Sequence, residues 1–111
     1  MCITRGIVDG QGASTVADTP EKKVKKRVTA LLKEYGAYNF SPMTHGYGRS
    51  GIPDIIACHN GRFIGIECKA GTGKATILQL RELAAIKTAG GLSMIVNENN
   101  LHELEGWLKL L

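Results

Sequence analysis

The chain has 111 residues, 43% of them hydrophobic, enough for one compact core without cross-links and too few for a second domain. Aromatic residues make up only 5%, which excludes broad stacking platforms for single strands or RNA loops, and the net charge of +4 is modest for a basic domain. Three widely spaced cysteines (Cys2, Cys58, Cys68) exclude a disulfide framework and a structural zinc site; there is no secretory leader pattern and no apolar run of about 18 residues, so an intracellular protein without a membrane partner is expected.

Residues 1–18 mix Gly, Ser, Thr and Asp without periodicity and are expected to form a flexible arm, leaving 19–111 as the single folded domain. Thr19-Pro20-Glu21 has the form of a helix start, with Thr19 as N-cap and Pro20 at the first position; Gly36 supplies the stop, giving a helix over about 20–35. At about 100° per residue, Val24, Val28, Leu31, Leu32 and Tyr35 form one apolar stripe, and Glu21 falls inside its angular range, aimed inward. Lys22, Lys23, Lys25, Lys26, Arg27 and Lys33 occupy the remaining arc. They form either an ordinary solvated surface or a contact for a polyanion.

Tyr38-Asn39-Phe40 reads as a short strand, followed by the Gly-rich loop 44–51. The loop lacks the GKS or GKT ending of a nucleotide-binding P-loop, so plain turn chemistry is its first reading; within it Arg49 is a reasonable phosphate contact. Residues 54–58 read as a strand, His59-Asn60-Gly61 as a hairpin turn and 62–69 as the antiparallel partner. A helix over about 76–89 carries Gln79, Leu83 and Ile86 at helical spacing and ends at Gly90-Gly91. A buried strand, 92–96, follows, and Asn100 is placed to cap a last helix with Leu101, Leu104, Trp107, Leu108 and Leu111 on one side. The element order predicts an α/β fold around a central sheet. His45, His59 and His102 read as lone surface histidines.

On the second hairpin strand the two-residue alternation sends Glu67 and Lys69 to one face and Ile64, Ile66 and Cys68 to the other, apolar, face. Asp54 stands at the mouth of the first strand, where the unfixed register decides whether it meets Glu67. Two nearby carboxylates repel unless a cation lies between them, and hard oxygen ligands favour Mg²⁺ or Mn²⁺. With an adjacent lysine, such a set suits phosphodiester hydrolysis. A cross-sheet ion pair between Glu67 and Lys69, with Asp54 as a strand-end cap, is the structural alternative.

The run Pro53-Asp54, twelve intervening residues, then Glu67-Cys68-Lys69 resembles the PD-(D/E)XK nuclease superfamily. More narrowly, Gly51-Ile52-Pro53-Asp54, the hairpin, Glu67-Cys68-Lys69 and Gln79 resemble the VRR-NUC family, which includes small stand-alone virus-encoded nucleases; the resemblance covers roughly 20–96. It implies a PD-(D/E)XK nuclease-like α/β domain, a central mixed sheet flanked by helices, occupying residues 19–111. It further implies that Asp54, Glu67 and the main-chain carbonyl of Cys68 bind Mg²⁺ or Mn²⁺, with Glu21 adding a ligand directly or through water. Lys69 then acts on the attacking water, and Gln79 supports the lysine or a phosphate contact. The implied partner is DNA, with Lys22, Lys23, Lys26 and Arg49 as its contacts. Stand-alone members form homodimers that resolve four-way (Holliday) junctions, whereas versions embedded in larger proteins act on flaps as monomers. If the chain is virus-encoded, the host cytoplasm is the implied location. The alternatives are a flap or nicking endonuclease without junction preference, and a non-catalytic DNA-binding module of the same fold. The apolar side of the last helix has two expected uses, a dimer interface or packing on its own sheet.

Overall fold

The computed structural model describes residues 18–43 and 48–111. Apart from Asp18, the expected N-terminal arm lies outside these residues, as does His45. Helix α1, Pro20–Glu34, begins as its sequence dictates: the Thr19 hydroxyl accepts from the Lys22 N–H at 3.2 Å and Pro20 takes a position where no N–H is needed. Strand β1 (Tyr38–Phe40) follows, then the hairpin of β2 (Ile55–His59) and β3 (Arg62–Cys68), helix α2 (Ile77–Thr88), strand β4 (Leu92–Val96) and helix α3 (Leu101–Leu110).

The sheet order is β1-β2-β3-β4, antiparallel except for β3 and β4, which run parallel and are joined through α2. This is the mixed sheet flanked by helices that the sequence pattern implies. Asn60 (φ 50°) and Gly61 (φ 81°) form the hairpin turn, whose left-handed residues match the twist of the strands they join. Once that turn is set, Ile55 pairs with Ile66 and Ala57 with Ile64.

Helices cover both sheet faces. On one side α1 packs against β1 and β3, and Val24, Val28, Leu32, Ile55, Ile64, Ile66, Cys68, Val96, Leu104 and Leu108 form the core. Each fully buried aliphatic side chain there contributes about 1.5–3 kcal/mol of transfer free energy. On the other side α2 packs on β3 and β4, so the charge-bearing face of β3 is not the open surface that alternation alone suggests. Ile86 lies so close to Gly65 that a Cβ there would sit 2.4 Å from its Cδ1. Over β1 and β2 the same face stays uncovered, and Tyr38 is 71% exposed.

One expectation for the last segments is refined and one is corrected. Asn100 holds the N-cap position of α3 as expected, but its side chain makes no cap hydrogen bond; its amide accepts from the Asn97 N–H at 2.7 Å and donates to the Ile95 carbonyl at 2.9 Å, tying the β4–α3 turn together. His59 is buried, with Nε2 3.2 Å from the Leu108 carbonyl, so it docks the end of α3 onto the hairpin. Leu104 and Leu108 of that helix face pack in the chain's own core, while Trp107 is half-buried.

Candidate active site

The hairpin register brings the two acids together. Since Ile55 faces Ile66, the next residues outward place Asp54 opposite Glu67, and directly opposed residues share a sheet face. At that point the ladder ends, because Pro53 has no N–H to offer. There the Asp54 carboxylate takes the Cys68 N–H instead of a main-chain carbonyl, Oδ2 accepting it at 2.8 Å. A strand residue points its N–H and C=O the same way, so the Cys68 carbonyl also faces the Asp54 side.

Glu67 is 1% exposed. Its Oε2 accepts from the Gln79 side-chain amide at 2.8 Å and lies 3.4 Å from Lys69 Nζ. Its Oε1 is buried without a hydrogen-bond partner. Burial first, and then the facing Asp54, push the Glu67 carboxyl up to about 7, with Lys69 offsetting part of the rise. Burial likewise pushes the Cys68 thiol up to about 12, which keeps it protonated and inert. Of the four residues expected to carry chemistry, all are brought together: Asp54, Glu67, Lys69 and Gln79. The amide of Gln79 reaches Glu67, however, and not Lys69.

The N-terminal turns of α1 form the rim. Thr19, Glu21, Lys22, Lys25 and Asp54 line one pocket of about 250 Å³. Glu21 is exposed, not buried, yet it shares that pocket with Asp54. Lys25, absent from the expected DNA contacts, lines it too; its place one turn after Glu21 is the signal that could have found it. Lys22 and Lys26 flank Asp18, at 3.9 and 2.6 Å, and Lys26 above all holds the Asp18 carboxyl below its ordinary value. Lys23 is exposed beside them. Arg49 lies elsewhere, its Nε 3.0 Å from Glu82 on α2, at the edge of an apolar pocket floored by Phe63 and Ile86.

Among the described residues, no group of three or more His, Cys, Asp or Glu side chains is gathered closely enough to hold a metal ion. The site therefore offers a carboxylate pair, with Glu21 on the rim. That set still fits Mg²⁺ or Mn²⁺, since these ions keep several waters and need only one or two carboxylates. The unpartnered Glu67 Oε1 is the observation that favours such an ion: a buried, unpaired carboxylate oxygen is costly, and a cation removes the cost.

Two supports of the site have signals of their own in the sequence, beyond the acidic motif. Thr76-x-x-Gln79 is a capping-box pattern, and both halves are present: Gln79 N–H to the Thr76 hydroxyl at 3.2 Å, Thr76 N–H to Gln79 Oε1 at 2.8 Å. Gly51 (φ 84°) rests against the same turn, where a Cβ would lie 2.6 Å from the Leu78 carbonyl carbon and oxygen. No other residue type fits there without displacing the turn or straining the backbone.

No family model matches the chain. It is 34% identical over 88 residues to a protein named "Putative nuclease p44" from Acyrthosiphon pisum secondary endosymbiont phage 1, covering 76% of this chain and 89% of the phage protein. A solved structure described as "VRR_NUC domain" superimposes with a TM-score of 0.68 at 22% identity, covering 80% of this chain and 97% of that one. No helix among the described residues is long and apolar enough to cross a membrane.

Proposed function

Because the chain belongs to the VRR-NUC family of nucleases, we propose that it is a divalent-metal-dependent endonuclease that hydrolyses DNA phosphodiester bonds. The observation that carries this reading is the pairing of Asp54 with Glu67 at the open end of the hairpin, with one Glu67 oxygen left unpartnered and Lys69 beside the other. Mg²⁺ or Mn²⁺ would be held by Asp54, Glu67 and the Cys68 carbonyl, with Glu21 contributing through water. Such an ion supplies a lowered pKa for bound water and charge to offset the phosphorane-like oxygens.

The chain's own residues do the remaining work. Gln79 fixes Glu67 Oε2, which leaves the opposite oxygen, buried and unpartnered, for the ion. Lys69, with its side chain 13% exposed, adds a positive charge where the attacking water and a phosphate oxygen meet. Lys22 and Lys25 present cations on the rim where the strand enters. A pure DNA-binding module needs no carboxylate pair beside a phosphate, least of all one with a buried member.

The substrate is a branched duplex, a four-way junction, cut by a homodimer whose twofold axis relates the two nicked strands. With Leu104 and Leu108 buried in their own core, the second copy seats on the uncovered part of the sheet, where Tyr38, Phe40 and Phe63 are exposed. The test is a cleavage panel of four-way junction, flap, linear duplex and single strand in Mg²⁺, Mn²⁺ or EDTA, with light scattering on the same preparation. Metal-dependent paired nicks in the junction by a dimer are expected. Cleavage that persists in EDTA refutes the metal chemistry, and a stable monomer that prefers flaps replaces the junction reading with a flap nuclease. Action in a host cytoplasm accords with the phage relative.

A further inference from the structure

We infer that Thr76 is a positioning residue for the nuclease site: by capping α2 it decides which end of the Gln79 amide faces Glu67. The inference rests on the metal-site reading of Asp54 and Glu67.

A glutamine side chain has one accepting end and one donating end, and the two are interchangeable by a half-turn. At this site only one orientation is useful. With Nε2 toward Glu67, the amide donates to the carboxylate at 2.8 Å; turned round, it would set an oxygen against an oxygen inside a buried site. Thr76 prevents the turned form. Its N–H can satisfy only the oxygen end, which it does at 2.8 Å, while its hydroxyl accepts the Gln79 N–H at 3.2 Å and holds the first turn in place. The reciprocal cap therefore does two things: it ends the helix and it sorts the amide.

Sorting has a consequence at the carboxylate. Oε2 is occupied by Gln79 and neighboured by Lys69, so Oε1 is the oxygen left free. A loose amide would let Glu67 rotate and exchange the two. The Gly51 backbone lies against Leu78 and Gln79, so the loop that delivers Asp54 leans on the same turn. Glu67 thus takes its orientation from the N-terminus of α2, and the loop before Asp54 rests on the same turn.

Loss of a group that orients a metal ligand typically weakens metal binding by about 10–100-fold. Thr76→Ala keeps the main-chain N–H that sorts the amide but removes the hydroxyl that holds that N–H against Gln79; acting one residue removed, it should weaken Mn²⁺ binding, read by isothermal titration, by roughly tenfold, and lower junction cleavage at limiting Mn²⁺. Thr76→Ser keeps both cap hydrogen bonds and should restore the wild-type values. Helix weakening alone is controlled by Ala84→Gly, at an exposed position of α2, which costs about 1 kcal/mol, comparable to removal of a cap, without touching Gln79. Both Thr76→Ala and Ala84→Gly should lower the melting temperature, but only Thr76→Ala should weaken Mn²⁺ binding. Wild-type Mn²⁺ affinity in Thr76→Ala, or an equal loss in Ala84→Gly, overturns the positioning role while the metal site stands. A wild-type protein that takes up no Mn²⁺ overturns the metal site and this role with it.

Discussion

The two faces of β3 are made from alternate residues of one seven-residue strand, and they are held by different physics. Ile64, Ile66 and Cys68 face α1 and α3 in a core where the requirement is volume and shape. Phe63, Gly65 and Glu67 face the α2 side, where Glu67 Oε2 meets the Gln79 amide and Lys69 while Oε1 is left without a partner. The first face stabilises the fold. The second face costs stability, since it buries an acid, and it is kept for what that acid can do. A strand that serves both shows that the site is built into the middle of the molecule, so damage to the two faces should be separable.

The largest separation is expected between activity and stability. Asp54→Asn, Glu67→Gln or Lys69→Ala should cut turnover by roughly 10²–10³ or more, with circular dichroism unchanged. Ile66→Ala, one residue away on the opposite face, should cost about 2–5 kcal/mol in denaturant unfolding yet leave the turnover of the folded fraction near wild type. Equal effects on both measurements for both sets would erase the distinction between the faces.

A smaller effect concerns pH. The Glu67 carboxyl rises from 4.5 to about 7 in the folded protein, so its protonated form is favoured by folding; the stabilisation is full below about pH 4.5 and is lost as the pH climbs through 7. In EDTA, the wild-type melting temperature should therefore fall between about pH 5 and pH 8 more steeply than that of Glu67→Gln. Added Mg²⁺ should raise the melting temperature more at the higher pH, where the ligand is already ionised. Parallel curves for the two proteins would place the buried charge elsewhere.

The smallest effect lies on the rim. Replacing Lys22 and Lys25 with alanine should flatten the salt dependence of DNA binding by about 0.9 log unit for every phosphate that is no longer neutralised. Lys26, tied to Asp18 at 2.6 Å, should contribute less. A slope unchanged by the double substitution would make both lysines bystanders.

Much of the fold was legible in the sequence because its signals are local. Thr19-Pro20 started α1, Asn60-Gly61 made the hairpin, and β1 and β4 lie where their residues predicted. Asp54, Glu67, Lys69 and Gln79 could be named from spacing, yet the meeting of Asp54 with Glu67 had to await the register, a property of two strands and not of either. The burial of Glu67 was hidden for a similar reason. Alternation tells which residues share a face, but only the placement of α2, which depends on the absence of a Cβ at Gly65, says that the charged face is covered. His59 misled because its partner is a main-chain carbonyl near the far end of the chain, which leaves no mark on side-chain patterns.

The Asp54 hydrogen bond to Cys68 and the Gln79 hydrogen bond to Glu67 span 14 and 12 residues along the chain. Loops of that length close with little entropic cost, and short-range contacts form early when a chain folds. The constellation is thus local in sequence: Asp54, Glu67, Lys69 and Gln79 all lie within residues 54–79, so the hairpin and the first turn of α2 carry the whole site.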